Sequence, residues 1–134
     1  MAVHVTSKNP ALRAFVSRRA RAMLRHLKLS KAELSIVLTT DRQIQKLNKV
    51  YRKKDKPTDV LSFPMEEQWL LGDIVIALPT TRRQAVEKGV SMRDELVELL
   101  AHGLLHLLGW DHRTAAEDKR MRRETARLVS ASRR

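Results

Sequence analysis

Leu12, Phe15, Val16, Ala20, Met23, Leu24 and Leu27 recur every three or four residues, so the segment predicts a helix with one apolar face. Asn9 stands at its N-cap and Pro10 at the first helical position, where a missing N–H costs nothing. Ahead of it, Val3, His4 and Val5 form a short first strand. The period then drops to two. Leu34, Ile36 and Leu38 alternate, as in a strand buried on one face. Thr40-x-x-Gln43 is a capping box that opens a second helix with Ile44, Leu47 and Val50 on its inner face. A polar loop over residues 52–58 follows, then strands at 60–63 and 72–78. The second of these is apolar on both faces, which places it inside a sheet.

After Pro79 the pattern is wholly helical. Thr80 or Thr81 caps a short helix that stops at Gly89. Ser91-x-x-Asp94 opens the next, with Leu96, Val97, Leu100, Leu104 and Leu107 along it, and Gly109 ends it. Thr114-x-x-Glu117 is another capping box, starting a last helix that runs to about Val129 and leaves 130–134 as a frayed tail. No repeat or linker interrupts the chain. Strands come early and helices late, so residues 1–134 read as a single α+β domain with about four strands and about five helices.

Composition narrows the function. With 134 residues and 43% apolar content the chain can build a core, and a mainly disordered protein is excluded. The absence of cysteine removes disulfide scaffolds, Cys-ligated zinc and thiol nucleophiles. The longest apolar run, 74–78, is far short of the ~20 residues of a membrane helix. Residues 1–13 contain no apolar leader segment, so a cytoplasmic protein without a membrane partner is expected. Lys and Arg number 27 against 15 acids, a net charge of +12, which favours a polyanionic partner, nucleic acid foremost. The excess gathers in three segments: 10–28 (Arg13, Arg18, Arg19, Arg21, Arg25, Lys28), 49–56 and 113–134. Few aromatics accompany it, so phosphate contacts rather than a base-stacking sheet are expected.

Three of the five histidines fall at H-x-x-x-H-x-x-G-x-x-H: His102, His106 and His112, with Gly109 between the last two. Two imidazoles four residues apart share a helix face and can share a metal. A glycine at the helix end allows the sharp turn that returns a third. Three imidazoles leave one tetrahedral position open to water, as a catalytic zinc requires. Histidines at these offsets arise by chance in roughly 1 of 300 arrangements of five, which favours a metal site over ordinary core histidines. Metzincin peptidases share the spacing but carry Glu, their general base, after the first His; here that position is Gly103. Met121 lies in a helical pattern and reads as core rather than as a Met-turn. Asp111, next to the third histidine, can either orient a ligand or cap the turn.

Residues 102–112 resemble the HGxLHLxGxDH signature of the YbeY family, bacterial metal-dependent endoribonucleases of ribosomal RNA maturation. The likeness extends to Leu47-Asn48, to Tyr51-Arg52, to the run from Lys54 through Asp59 to Pro64, and to Leu71-Gly72-Asp73-Ile74. Trp110 stands where many members have Tyr. The resemblance implies a zincin-like α+β fold, a metal held by His102, His106 and His112, which the three imidazoles suggest is one zinc ion, and an important arginine at Arg52. It also implies a single-strand-specific endoribonuclease of 16S rRNA 3′-end processing and ribosome quality control. Its partners would be ribosomal RNA, the small ribosomal subunit and its assembly factors. The chemistry agrees: metal makes hydroxide available near neutrality, and a guanidinium can hold two oxygens of a cleaving phosphodiester. Attack by a substrate 2′-hydroxyl and attack by metal-activated water both remain open. The competing classes are a zincin-type metallopeptidase, against which Gly103 speaks, and a non-catalytic RNA- or ribosome-binding assembly factor with a structural metal.

Overall fold

A computed structural model describes residues 2–67 and 69–133. In chain order the elements are β1 (Ala2–Thr6), α1 (Pro10–His26), β2 (Glu33–Thr39), α2 (Asp41–Arg52), β3 (Val60–Glu67), β4 (Leu70–Ala77), α3 (Leu78–Lys88), α4 (Met92–Leu107) and α5 (Ala115–Ala131). Among the described residues this is the α+β arrangement expected, with four strands and five helices. The sheet order is β1-β2-β4-β3. β1 pairs with β2, and β2 with β4, in parallel; β3 runs antiparallel to β4 and forms an edge. Buried Ile74, Val75, Ile76 and Ala77 account for β4 lying inside the sheet.

The alternation of β2 decides which helices cover which face. Leu34, Ile36 and Leu38, with Ile74 and Ile76, turn towards the main core, built with Phe15 and Met23 of α1, Leu100 and Leu104 of α4, and Met121 and Leu128 of α5. On the opposite face Val37, Leu61, Phe63, Val75 and Ala77 pack with Ile44 and Leu47 of α2, and the Tyr51 ring meets Phe63 edge-on. Asn9 accepts from Ala11 N–H and Leu12 N–H, Ser91 from Asp94 N–H, and Thr114 closes a full capping box with Glu117, as the sequence predicts.

Several expectations change. Val50 is 69% exposed, and Asn48 (1%) takes its place inside. At 100° per residue Ile44, Leu47, Asn48 and Tyr51 lie together, and Val50 falls off that stripe. The Thr40 box is half formed: Thr40 Oγ1 accepts from Gln43 N–H at 3.2 Å, while the Gln43 side chain turns to the Thr39 hydroxyl. Arg52 ends α2 rather than opening the loop. Both hairpin strands are longer than their apolar runs, because cross-strand pairing carries β3 to Glu67 and starts β4 at Leu70.

Neither Thr80 nor Thr81 caps α3. The helix begins earlier, at Leu78, with Ala77 as N-cap, since Pro79 suits its first turn. The Thr80 N–H and hydroxyl instead donate to Asp41 Oδ1, and Thr81 Oγ1 donates to the Ala77 carbonyl. Partial burial opposes the charge on Asp41. The Arg83 guanidinium and Thr80 outweigh it and hold the carboxyl below its ordinary range. The tail is not frayed through residue 133. Ser130 and Ala131 are helical, and buried Ser132 donates to the Val129 carbonyl and accepts from Arg19 Nη1. Arg134 lies outside the described residues.

Candidate metal centre

The centre stands at the C-terminal end of α4, the helix most deeply set in the core. Leu96, Leu100, Leu104 and Leu105 are wholly buried along it, so its rotation about its own axis is fixed. That rotation leaves His102 and His106 half-buried on the side towards β3. Gly103 sets the depth of the contact. A Cβ there would lie 2.9 Å from Ile74 Cγ2, 3.2 Å from Val60 Cγ2 and 3.3 Å from Ser62 Oγ. Without one, α4 comes close enough for Ser62 Oγ to donate to the Gly103 carbonyl at 2.9 Å.

The Glu of the metzincins therefore has no room at this position. Gly103→Glu is expected to gain no peptidase activity and to lower the urea midpoint strongly. A buried unpaired carboxylate adds its desolvation to an overpacking cost of about 1–3 kcal/mol. A variant as stable as the parent would contradict this packing.

Beyond Leu107 the helix closes in a Schellman turn. Gly109 N–H donates to the His106 carbonyl and Trp110 N–H to the Leu105 carbonyl, both at 3.0 Å. Gly109 has φ 94°, a conformation that side chains resist. The reversal returns His112 to the other two histidines. Ring centroids lie 4.6 Å apart for His102–His106, 5.3 Å for His106–His112 and 5.6 Å for His102–His112. Asp111 caps this turn, accepting from His112 N–H at 2.7 Å and pairing with Arg113 Nε at 2.7 Å. Of the two roles open to it, the structure gives the turn. The His112 N–H, then the Arg113 charge, hold its carboxyl below the usual range.

The residues fit a metal. One nitrogen from each histidine lies within 4.8 Å of the others, and His102 Nε2 and His106 Nε2 are 3.0 Å apart. Ligands at the ~2.0–2.1 Å of a tetrahedral zinc would stand roughly 3.3–3.4 Å from one another, close to that separation. Burial, followed by the neighbouring histidines, pushes the His102 imidazole below its ordinary value. Burial and then His112 do the same for His106. Both shifts favour the neutral form, the one that ligates.

A pH dependence follows. Below the ordinary imidazole value near 6.5 the unfolded chain takes up protons that His102 and His106 in the folded, metal-free protein do not. Stability then falls as pH drops from about 6.5 through the lowered folded values. The urea midpoint of metal-free protein should be lower at about pH 5.5 than at about pH 7.5, and the gap should shrink in His102→Ala. Equal gaps in the two proteins would contradict it.

The three imidazoles open into a groove of about 810 Å³. Val60 to Phe63 of the β3 edge form one wall. Arg52 enters from the end of α2, and Arg113 follows the third histidine. Among the described residues Arg52 makes no ion pair, so its donors are free for a ligand. The α1 cations do not line this groove. Arg18, Arg19 and Arg93 lie over the Phe15 ring, and Arg19 also holds Ser132, so part of that charge is structural. Asp59, Arg113 and Tyr51 also line the groove; Tyr51 and Asp59 lie in the stretch of the YbeY likeness, but sequence reasoning assigned none of the three a role at the site. A second cavity of about 800 Å³, between α3, α4 and α5, meets the groove at Asp59 and His102. Asp59 is held at the junction by Val60 N–H (2.8 Å) and Gln84 Nε2 (3.2 Å). Within the second cavity Glu95, wholly buried, takes both its hydrogen bonds from Lys88 Nζ, whose pKa that bond raises.

Comparison with known proteins places this centre in a family. The profile described as Endoribonuclease YbeY matches residues 3–133. The chain belongs to the YbeY family. Relatives named Endoribonuclease YbeY include one from Aquifex aeolicus, 48% identical over 114 residues (82% of this chain, 76% of the relative). Another, from Anaeromyxobacter sp. Fw109-5, is 46% identical over 138 aligned positions (98% and 72%). The solution structure of TM1509 from Thermotoga maritima superposes with a TM-score of 0.74 at 25% identity, covering 98% of this chain and 89% of that one. The α+β fold expected from the YbeY resemblance is thus the one observed. Among the described residues no helix is long and apolar enough to cross a membrane.

Proposed function

We propose that this protein is a zinc-dependent endoribonuclease that cuts single-stranded RNA during ribosomal RNA maturation, including the 16S 3′ end. In this reading His102, His106 and His112 hold one zinc ion, and Arg52 is the catalytic residue that meets the scissile phosphate. The observation that carries it is the meeting, in one open groove, of three imidazoles with nitrogens within 4.8 Å of one another and a guanidinium that makes no ion pair among the described residues. Membership of the YbeY family supports RNA as the substrate. The small ribosomal subunit and its assembly factors as partners, a role in ribosome quality control and a cytoplasmic location go with the same reading.

A bound divalent ion would supply Lewis acidity and acidify water near neutral pH. The protein supplies the rest. Burial holds the His102 and His106 imidazoles below their ordinary pKa, which favours the neutral form a metal needs. Arg52 presents a fixed pair of donors to non-bridging oxygens whose charge grows as the phosphodiester breaks. The β3 wall confines the strand on one side, and Arg113 adds positive charge beyond the third histidine. Gly103 leaves no carboxylate in the place of the peptidase base, which disfavours peptide hydrolysis by that route. Excess positive charge draws the polyanion in without reading its sequence.

The test is cleavage of one labelled RNA as a single strand and as a duplex, and of an unstructured peptide, each with and without chelator. The single strand should be cut only in the metal-loaded state, the duplex poorly and the peptide not at all. Peptide cleavage, or RNA cleavage undiminished after the metal is stripped, would overturn the reading.

A further inference from the structure

Arg52 is the last residue of α2, and the chain leaves the helix at once. Lys53 takes the left-handed conformation (φ 57°, ψ 33°), uncommon for a residue with a side chain. Residues 53–56 then fold back over the turns they have just left. Four of the five residues 52–56 are cations, which repel one another and would by themselves extend into solvent. What opposes this is centred on Asn48, one turn before Arg52 on the same helix face. Its main-chain carbonyl accepts from Lys53 N–H and, at 3.3 Å, from Lys54 N–H. Its side-chain Nδ2 donates to the Lys56 carbonyl at 2.9 Å. Exposed contacts from Gln45 (3.0 Å) and Lys49 (3.8 Å) to Asp55 add to the same clasp.

We propose that Asn48 is a positioning residue for the reaction, acting through Arg52 by clasping the reversal that follows it and so holding the end of α2 from which the guanidinium reaches the groove beside the three histidines. This rests on the reading of Arg52 given above. The bland alternative is that Asn48 only packs. Its neighbours on the inner stripe, Ile44 and Leu47, are apolar. Instead an amide is buried there whose Oδ1 finds no donor among the described residues. A half-satisfied amide is a poor choice for packing alone. Its one side-chain bond goes to the loop, and that bond gives the residue its use.

A double-mutant cycle on single-turnover RNA cleavage at saturating protein separates the two. Asn48→Ala should slow cleavage about tenfold with metal content and helical circular dichroism unchanged, as expected when a catalytic group is displaced rather than removed. In an Arg52→Ala background the same change should alter the rate by less than about twofold, because the group it positions is gone. Asn48→Asp keeps the shape but sets an acceptor against the Lys56 carbonyl. It should show the same coupling, and it serves if the alanine variant folds poorly. Equal losses in both backgrounds, or parental rates in both Asn48 variants, would overturn the proposal. A parental rate in Arg52→Ala alone would instead bring down the reading of Arg52 and, with it, anything acting through that residue.

Discussion

His106→Ala is expected to lose bound metal and RNA cleavage together while the fold survives. Alanine is the strongest helix former, and the Schellman bond uses the main-chain carbonyl of residue 106, so α4 should still end where it does. The chemistry changes instead. His106 Nε2 stands 3.0 Å from His102 Nε2, so it could share an ion held there. Loss of a mere outer-shell partner lowers metal affinity roughly 10–100-fold, and loss of a direct ligand should exceed that. Zinc content measured after dialysis, with circular dichroism as the control for folding, checks the first half. Single-turnover cleavage checks the second. Full occupancy in the variant would remove the metal assignment from these histidines.

Arg52→Ala should separate chemistry from binding. The residue lies exposed in the histidine groove and, among the described residues, makes no ion pair, so its removal leaves no buried charge behind. Its proposed contact is with charge that develops only as the phosphodiester breaks, and such contacts contribute more to turnover than to ground-state affinity. By analogy with loss of one oxyanion donor, the cleavage step should slow on the order of 10²-fold, with zinc content unchanged and RNA affinity modestly lower. Arg52→Lys should recover only part, because an ammonium lacks the two-pronged donor set. A saturated rate equal to the parent's in Arg52→Ala would leave Arg52 as one more cation of its loop.

The histidine cluster was legible in the sequence because its parts are local. His102, Gly109 and His112 lie within eleven residues, and helix period plus a glycine stop suffices to bring them together. The helices with side-chain caps and the alternating strand were legible for the same reason: caps and alternation are short-range devices. Features set by distant contacts were not. Val50 and Asn48 exchanged places because hydrophobicity alone chose Val50, whereas the stripe Ile44, Leu47, Asn48, Tyr51 follows the helix rotation fixed against the sheet. Ser132 looked like tail because its partner Arg19 lies 113 residues away. Thr80 looked like a cap because nothing local reveals that Asp41 claims it. Asp59 and Arg113 reach the groove through the fold, and only the resemblance around residues 51–64 hinted that this stretch belongs to the site.

In the proposed function, RNA cleavage requires one metal ion held by His102, His106 and His112. Metal-free protein should be titrated with zinc while cleavage of a single-stranded RNA is followed. Activity should rise from baseline and level off at one ion per chain, and His106→Ala should stay at baseline over the same range. Full cleavage by the metal-free parent, or a normal titration in His106→Ala, would contradict it.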